Sequence, residues 1–408
     1  MSEKEILATL TLTKIEGISH RIARLLIEHC GSAIEVLESN PKELLWAVYP
    51  ILNARSKKII ENIPLQKEKY WKVSEKNLTE IKNINGKIWI FQDAEYPKSL
   101  AQLHDAPTYL FTKGNFSLQN QKLIGIVGTR SCTTYGIKTC EEIIQNLSKS
   151  LENFCIVSGL ADGIDAIAHQ TAVDLNIPTI GILGHGFDRI YPAKNKKLAE
   201  EMLENGGWIS EFPFETIPRK ENFPTRNRIV AGLCSAVIVI ESPEKGGSMI
   251  TANMSFEAGK ELFAVPGRLD ELQSMGCNVL IQEQKAHCFV STEKFLQTME
   301  WTLKEDKISK IKPLNIFTEG KNNLKIDQPI FLDQETESDK NNNIILNEKK
   351  LSENEKKVFN LLKKDETMHL EILLEKSNLS YSELSEILFS LEMQDCIKIL
   401  PGLNYMLT

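Results

Sequence analysis

Phe154-Cys155-Ile156-Val157-Ser158-Gly159-Leu160-Ala161-Asp162-Gly163-Ile164-Asp165-Ala166-Ile167-Ala168-His169 reads as strand, glycine turn and helix in direct succession. The first four residues are apolar without alternation, as in a strand covered on both faces. Ile164, Ile167, Ala168 and Ala172 then share one helical stripe. A strand that turns on glycines into a helix aims backbone N–H groups and a helix N-terminus at an anion. Further apolar runs flank it: Leu123–Val127, Thr179–Leu183, Ala236–Ile240, Leu262–Val265 and His287–Val290, with helical stretches between them. Strands alternating with helices predict an α/β domain, a Rossmann-like, doubly wound, mostly parallel sheet with its core over residues 122–290.

The chain has 408 residues, enough for two or three domains. Its apolar and charged fractions, 42% and 25%, are those of a globular protein. No apolar run reaches the roughly 18 residues of a membrane span, and Met1-Ser2-Glu3-Lys4-Glu5 does not open a signal peptide. A cytoplasmic protein without a membrane span is expected. The eight cysteines are scattered, without C-x-x-C pairs or histidines at metal spacing, and predict buried thiols rather than a metal site. The net charge of -7 neither advertises nor excludes nucleic acid, because a local basic groove is sufficient.

Residues 1–70 read as a helical domain. Ile15-Glu16-Gly17-Ile18-Ser19 makes a helix-hairpin-helix-like turn within it, and acidic Glu16 and Glu28 favour a packing role. Residues 71–300 hold the extended sheet domain, with further strands at Lys87–Phe91 and Tyr109–Thr112. Residues 301–350, rich in Lys, Asn, Asp and Glu, predict a flexible linker. Residues 351–408 give three amphipathic helices and a hairpin, Ile397–Leu400 with Tyr405–Leu407, the pattern of a winged helix. Its expected recognition helix, Tyr381–Ser390, has no basic residue, which points to a protein partner or a regulatory role rather than duplex DNA.

The chemistry gathers in loops after strand ends. Gly128-Thr129-Arg130 suits a phosphate, although Arg130 could equally pair with a carboxylate. Ser158-Gly159 and Gly246-Gly247-Ser248 offer backbone donors before helices. Asp162 and Asp165 read as turn and helix-start residues rather than catalytic acids. His169 reads as structural, and His185, between two glycines, is expected to be more exposed. Arg219-Lys220-Glu221-Asn222-Phe223-Pro224-Thr225-Arg226-Asn227-Arg228 crowds cations around a phenylalanine, as single-strand binding requires. At least one of Arg226 and Arg228 is expected to hold a carboxylate such as Glu211. There is no G-x-S-x-G elbow, P-loop or magnesium-type aspartate cluster, and no cofactor is implied.

Gly125–Ser131, Ser158–His169, Asp188–Asn195, Ser210–Pro213, Asn222–Gly232 and Gly246–Gly267 together resemble the DprA, or Smf, family of DNA-processing proteins. The resemblance covers about residues 85–292, and the N-terminal SAM-like and C-terminal winged-helix segments are also similar to many members. It implies a non-enzymatic, homodimeric, single-stranded DNA-binding protein of natural transformation. Such a protein protects incoming DNA, displaces single-strand-binding protein and loads RecA for homologous recombination. By motif position it implies Arg130 and Lys220 as phosphate contacts and Phe223 as the base-facing ring. Asn222, Arg226 and Asn227 fall in the same motif. The family usually carries glycine where His185 stands. A rival class is a nucleotide-hydrolysing Rossmann-like enzyme related to phosphoribohydrolases. Its Pro-Gly-Gly-x-Gly-Thr-x-x-Glu motif is matched only in part by Lys245–Thr251.

Overall fold

The computed structural model describes residues 2–47 and 54–301, and in the C-terminal part 352–363, 367–377, 379–380, 383–384, 387–388, 390–391, 397–400 and 404–407. Residues 302–350 of the expected linker lie outside the described residues. The chain forms two compact units, one N-terminal and one C-terminal.

Among the described residues the N-terminal unit opens with six helices: α1 (Glu3–Lys14), α2 (His20–Cys30), α3 (Ala33–Glu38), α4 (Pro41–Ala47), α5 (Ala54–Glu61) and α6 (Ile63–Asn83). Ser2, Ser19 and Ser32 each cap a helix by accepting a backbone N–H, from Glu5, Ile22 and Glu35. Their apolar stripes close on Ala8, Leu12, Ile15, Leu26, Ile27 and Val36. The hairpin glycine Gly17, at φ +90°, is a packing position: a Cβ there would come 2.2 Å from Ile59 Cδ1 of α5. α6 does not stop at residue 70. Its buried Leu78 and Ile81 continue the stripe, so the helical segment runs to Asn83.

A nine-stranded sheet follows: β1 (Lys87–Ile90), β2 (Tyr109–Asn115), β3 (Lys122–Val127), β4 (Phe154–Ser158), β5 (Thr179–Ile182), β6 (Gly206–Ser210), β7 (Ala236–Val239), β8 (Glu261–Ala264) and β9 (His287–Cys288). The order is β1-β2-β6-β5-β4-β3-β7-β8-β9. β3 to β9 run parallel, while β1–β2 and β2–β6 pair antiparallel. The sheet is therefore Rossmann-like and mostly parallel. β6 was not among the expected strands. Gly206 and Gly207 lower its strand propensity, yet it joins the antiparallel pair to the parallel core.

The helices of this part are α7 (Lys98–Ala101), α8 (Thr134–Ser150), α9 (Ile164–Asp174), α10 (Lys196–Glu201), α11 (Asn222–Leu233), α12 (Gly247–Glu257), α13 (Met275–Gln282) and α14 (Thr292–Thr298). Side chains along β3 alternate between two cores. Leu123 and Val127 join Ile229, Leu233, Met249 and Leu280 on one face; Ile124 and Ile126 join Ile143, Leu147, Ile164 and Ala168 on the other. Burial on both faces is why these strands read as unbroken apolar runs. Cys140, Cys155, Cys234 and Cys277 are buried thiols, whereas Cys288 is exposed on the edge strand. Neighbours on both sides of β3, β4 and β7, place the topological switch between β3 and β7, where such sheets bind ligands. No helix among the described residues is long and apolar enough to cross a membrane.

The C-terminal unit contains α15 (Glu353–Leu362), β10 (Met368–His369), α16 (Leu370–Ser377), β11 (Ile397–Leu400) and β12 (Asn404–Leu407). Ser352 and Glu355 form a reciprocal capping box on α15. The expected hairpin β11–β12 gains a third strand, giving the order β10-β12-β11. Leu373, Leu384, Leu388 and Leu391 are buried against Val358 and Phe359, whereas Ile372 of the expected stripe is exposed. This is a winged helix. Only residues 383, 384, 387, 388 and 390 of the expected recognition helix are described, all helical.

Candidate functional site

The loops at the C-terminal edge of β3, β4 and β7 are knitted together by backbone. The Ile164 N–H donates to Thr129 O at 3.2 Å, and the Thr129 N–H to Glu241 O at 2.7 Å. Gly163 permits this: at φ +76° a Cβ would sit 2.3 Å from Thr129 O. The buried Glu241 carboxylate accepts from the Thr133 N–H at 2.9 Å and from Thr133 Oγ1 at 2.5 Å, at the start of α8. Asp165 Oδ2 accepts from the N–H groups of Gly159 and Ala161 at 3.1 and 3.4 Å. The expectation that Gly159 offers its N–H to a ligand is thereby corrected, because the chain's own carboxylate already holds it. Two of the helix starts at this edge are neutralised from within.

The third is not. α12 has no side-chain cap and no acidic residue in its first turn, and a Cβ on Gly247 would meet nothing within 4 Å. It opens into a cleft of about 570 Å³. Gly128, Thr129, Arg130, Gly159, Lys220, Phe223, Arg226, Asn227, Gly246, Gly247 and Ser248 all line it. Arg130 and Lys220 are exposed, and no carboxylate among the described residues lies within ion-pair distance of either. The Arg130 guanidinium lies over the Phe223 ring, 5.5 Å from its centroid. Tyr191, which sequence reasoning did not select, stands 5.8 Å from Phe223 at an interplanar angle of 35°. Its signal was present in Gly184–Asn195, the third glycine loop along the chain after those at Gly128 and Gly159, but nothing local said that this loop folds over α11.

Two expected site residues lie behind the cleft. Ser158 is fully buried and its hydroxyl donates to Ile126 O at 2.6 Å. Asn222 Nδ2 donates to Gly184 O and Ile217 O at 3.0 and 3.3 Å, tying two loops to α11. Arg226 reaches the cleft but is buried, and its Nη1 donates to Ile182 O. Burial pushes its pKa down to about 10, with Asp165 opposing the shift and Arg130 adding to it. Burial likewise raises Asp165, against the opposing influence of Arg226 and the N–H donors. Arg228 is the arginine that holds Glu211, and it also donates to Asp105 O at 2.7 Å. Asp162 pairs with Lys194 at 3.2 Å.

His185 is not exposed. It is 1% accessible, with Nδ1 2.8 Å from Gly186 O, and Nε2 accepts the Tyr191 N–H at 3.3 Å. The ring is a strut within its loop, where flanking glycines had suggested a rim position. His169 is buried against Thr179 Oγ1 at 2.7 Å, and burial, then Arg226, pushes its pKa down to about 3. An unfolded histidine protonates near pH 6.5, so acidification below that value protonates the unfolded state alone. The His169 contribution to stability is therefore whole above about pH 6.5 and falls by up to about 1.4 kcal/mol per pH unit below it, towards pH 3. Urea midpoints of the wild type and His169→Gln between pH 7 and pH 5 check this. The variant is expected to show the flatter pH profile, and equal profiles would contradict the assignment.

Comparison with known proteins identifies the family of both units. A family model described as DNA recombination-mediator protein A matches residues 87–300, and one described as DprA winged helix domain matches residues 347–402. The DNA processing protein DprA of Streptococcus pneumoniae is 39% identical over 216 residues, covering 53% of this chain and 75% of the relative. Protein Smf of Synechocystis is 34% identical over 289 residues, 69% of each. The X-ray structure of the Streptococcus pneumoniae protein superposes with a TM-score of 0.61 at 31% identity, covering 73% of this chain and 98% of that one.

Proposed function

Since this chain belongs to the DprA (Smf) family of DNA-processing proteins, we propose that its cleft binds single-stranded DNA, with phosphates at Arg130, Lys220 and the start of α12 and a base against the aromatic side. The observation that carries this reading is the grouping in one cleft of two cations without a carboxylate partner among the described residues, Phe223 and an uncapped helix start. Charge serves the phosphates and a ring serves the base, which is what a single strand presents and a stacked duplex hides. The buried carboxylates beside the cleft, Asp165 and Glu241, are engaged with backbone N–H groups, which favours binding over hydrolysis.

A labelled oligothymidylate and a matched duplex, titrated at two salt concentrations, test the reading. The single strand is expected to bind more tightly, with an affinity that falls as salt rises. Arg130→Ala and Lys220→Ala should each lower the salt slope by about 0.7. Phe223→Ala should cost about 1–3 kcal/mol. If Lys220→Ala and Phe223→Ala combined leave affinity intact, the cleft is not the site.

Within this proposal the protein acts in the cytoplasm as a homodimer without a cofactor. It protects DNA taken up in transformation, works against single-strand-binding protein and loads RecA. The description of the matched family as a recombination mediator supports this step. The measurement is RecA assembly on a strand coated with single-strand-binding protein: the wild type should speed it, and the Lys220→Ala, Phe223→Ala double variant should not. The winged helix is proposed to engage a protein, since Tyr381–Ser390 carries no cation.

A further inference from the structure

We propose that Tyr191 is a second stacking ring, so that the cleft holds two bases rather than one; this rests on the single-strand reading above. Phe223 is held in place within the cleft. Arg130 lies over the ring, and a Cβ on Gly184 would stand 3.1 Å from Phe223 Cδ1, so the ring edge rests against that backbone. Asn222 Nδ2 holds the same Gly184 carbonyl, which fixes the contact. Tyr191 is different: it is 45% exposed, lines the same cleft, and leans on Phe223 with its ring tilted by 35°.

Its backbone is anchored, because the Tyr191 N–H donates to the buried His185. An exposed aromatic on a fixed backbone costs little entropy to use as a platform. The ring lies where the third glycine loop meets α11, on the same cleft as Arg130 and Lys220. A base stacked on Tyr191 therefore keeps its phosphate within the cationic part of the cleft. Sequence tolerance follows, because every base has a π-face.

The test uses the full chain with two probes, a labelled oligothymidylate and a strand of the same length made of abasic sites. Tyr191→Ala is expected to weaken oligothymidylate binding by about 5- to 150-fold and to leave the abasic strand unaffected. Tyr191→Phe keeps the ring and is expected to bind as the wild type does. Because the side chain is nearly half exposed, the variant should keep the wild-type urea midpoint. Wild-type oligothymidylate binding by Tyr191→Ala overturns the proposal. Equal loss of both strands also overturns it, since the residue would then only shape the loop. Phe223→Ala separates the two readings. If it weakens oligothymidylate binding and Tyr191→Ala does not, only the second ring is lost; if neither variant weakens it, the cleft assignment falls as well.

Discussion

Gly163→Ala is expected to destabilise the N-terminal unit by about 2–6 kcal/mol, from left-handed backbone strain and overpacking of about 1–3 kcal/mol each. Gly163 has φ +76° and ψ −130°, a conformation that L side chains avoid. The added Cβ would press on Thr129 O at 2.3 Å and Arg130 O at 2.7 Å. Both atoms are backbone, so no side-chain rotation relieves the contact. The loop carrying Arg130 must move, and the bond from the Ile164 N–H to Thr129 O is stretched with it. Stability and single-strand affinity should therefore fall together. Gly247→Ala supplies the contrast, because nothing lies within 4 Å of a Cβ there. Its urea midpoint should equal or slightly exceed that of the wild type. A wild-type midpoint for Gly163→Ala would mean that the two loops are not packed as described.

Arg228→Ala should cost about 3–5 kcal/mol, the usual penalty for removing one partner of a buried ion pair. Arg228 and Glu211 have side chains only 11% and 5% exposed. Arg228 lies on α11, Glu211 follows β6, and His20 Nε2 of α2 approaches the same carboxylate at 3.4 Å. Arg228 also reaches Asp105, through its carbonyl at 2.7 Å and its carboxylate at 3.6 Å. Without the guanidinium, Glu211 keeps a buried negative charge with a single histidine beside it. Replacing both members by apolar residues, as in Glu211→Leu with Arg228→Met, should be milder than either single change. Urea midpoints of the four proteins give the coupling directly. A loss below about 1 kcal/mol for Arg228→Ala would show that water already solvates the junction.

Much of the architecture was legible because burial leaves a local trace. Strands covered on both faces show as unbroken apolar runs, and the runs at residues 123–127, 154–157 and 236–240 became β3, β4 and β7. The weaker signals failed for identifiable reasons. β6 is short and opens on two glycines, so its strand character comes from pairing with β2 and β5. At residue 70 nothing in α6 breaks the helix, so that boundary had no local cause.

Local pattern supplies the chemistry that is available: a parallel sheet with glycine turns at its strand ends, the cations Arg130 and Lys220, and the ring of Phe223. How that chemistry is allotted depends on the packing of distant segments. Asp165 takes the Gly159 N–H, Arg226 is buried against Ile182 O while Arg228 takes Glu211, His185 is enclosed, and Tyr191 is brought to Phe223. The physical reason is that hydrogen-bond satisfaction and desolvation are properties of pairs. Most of these partners lie far apart along the chain, so a donor's availability is settled only when another segment arrives to fill or to spare it.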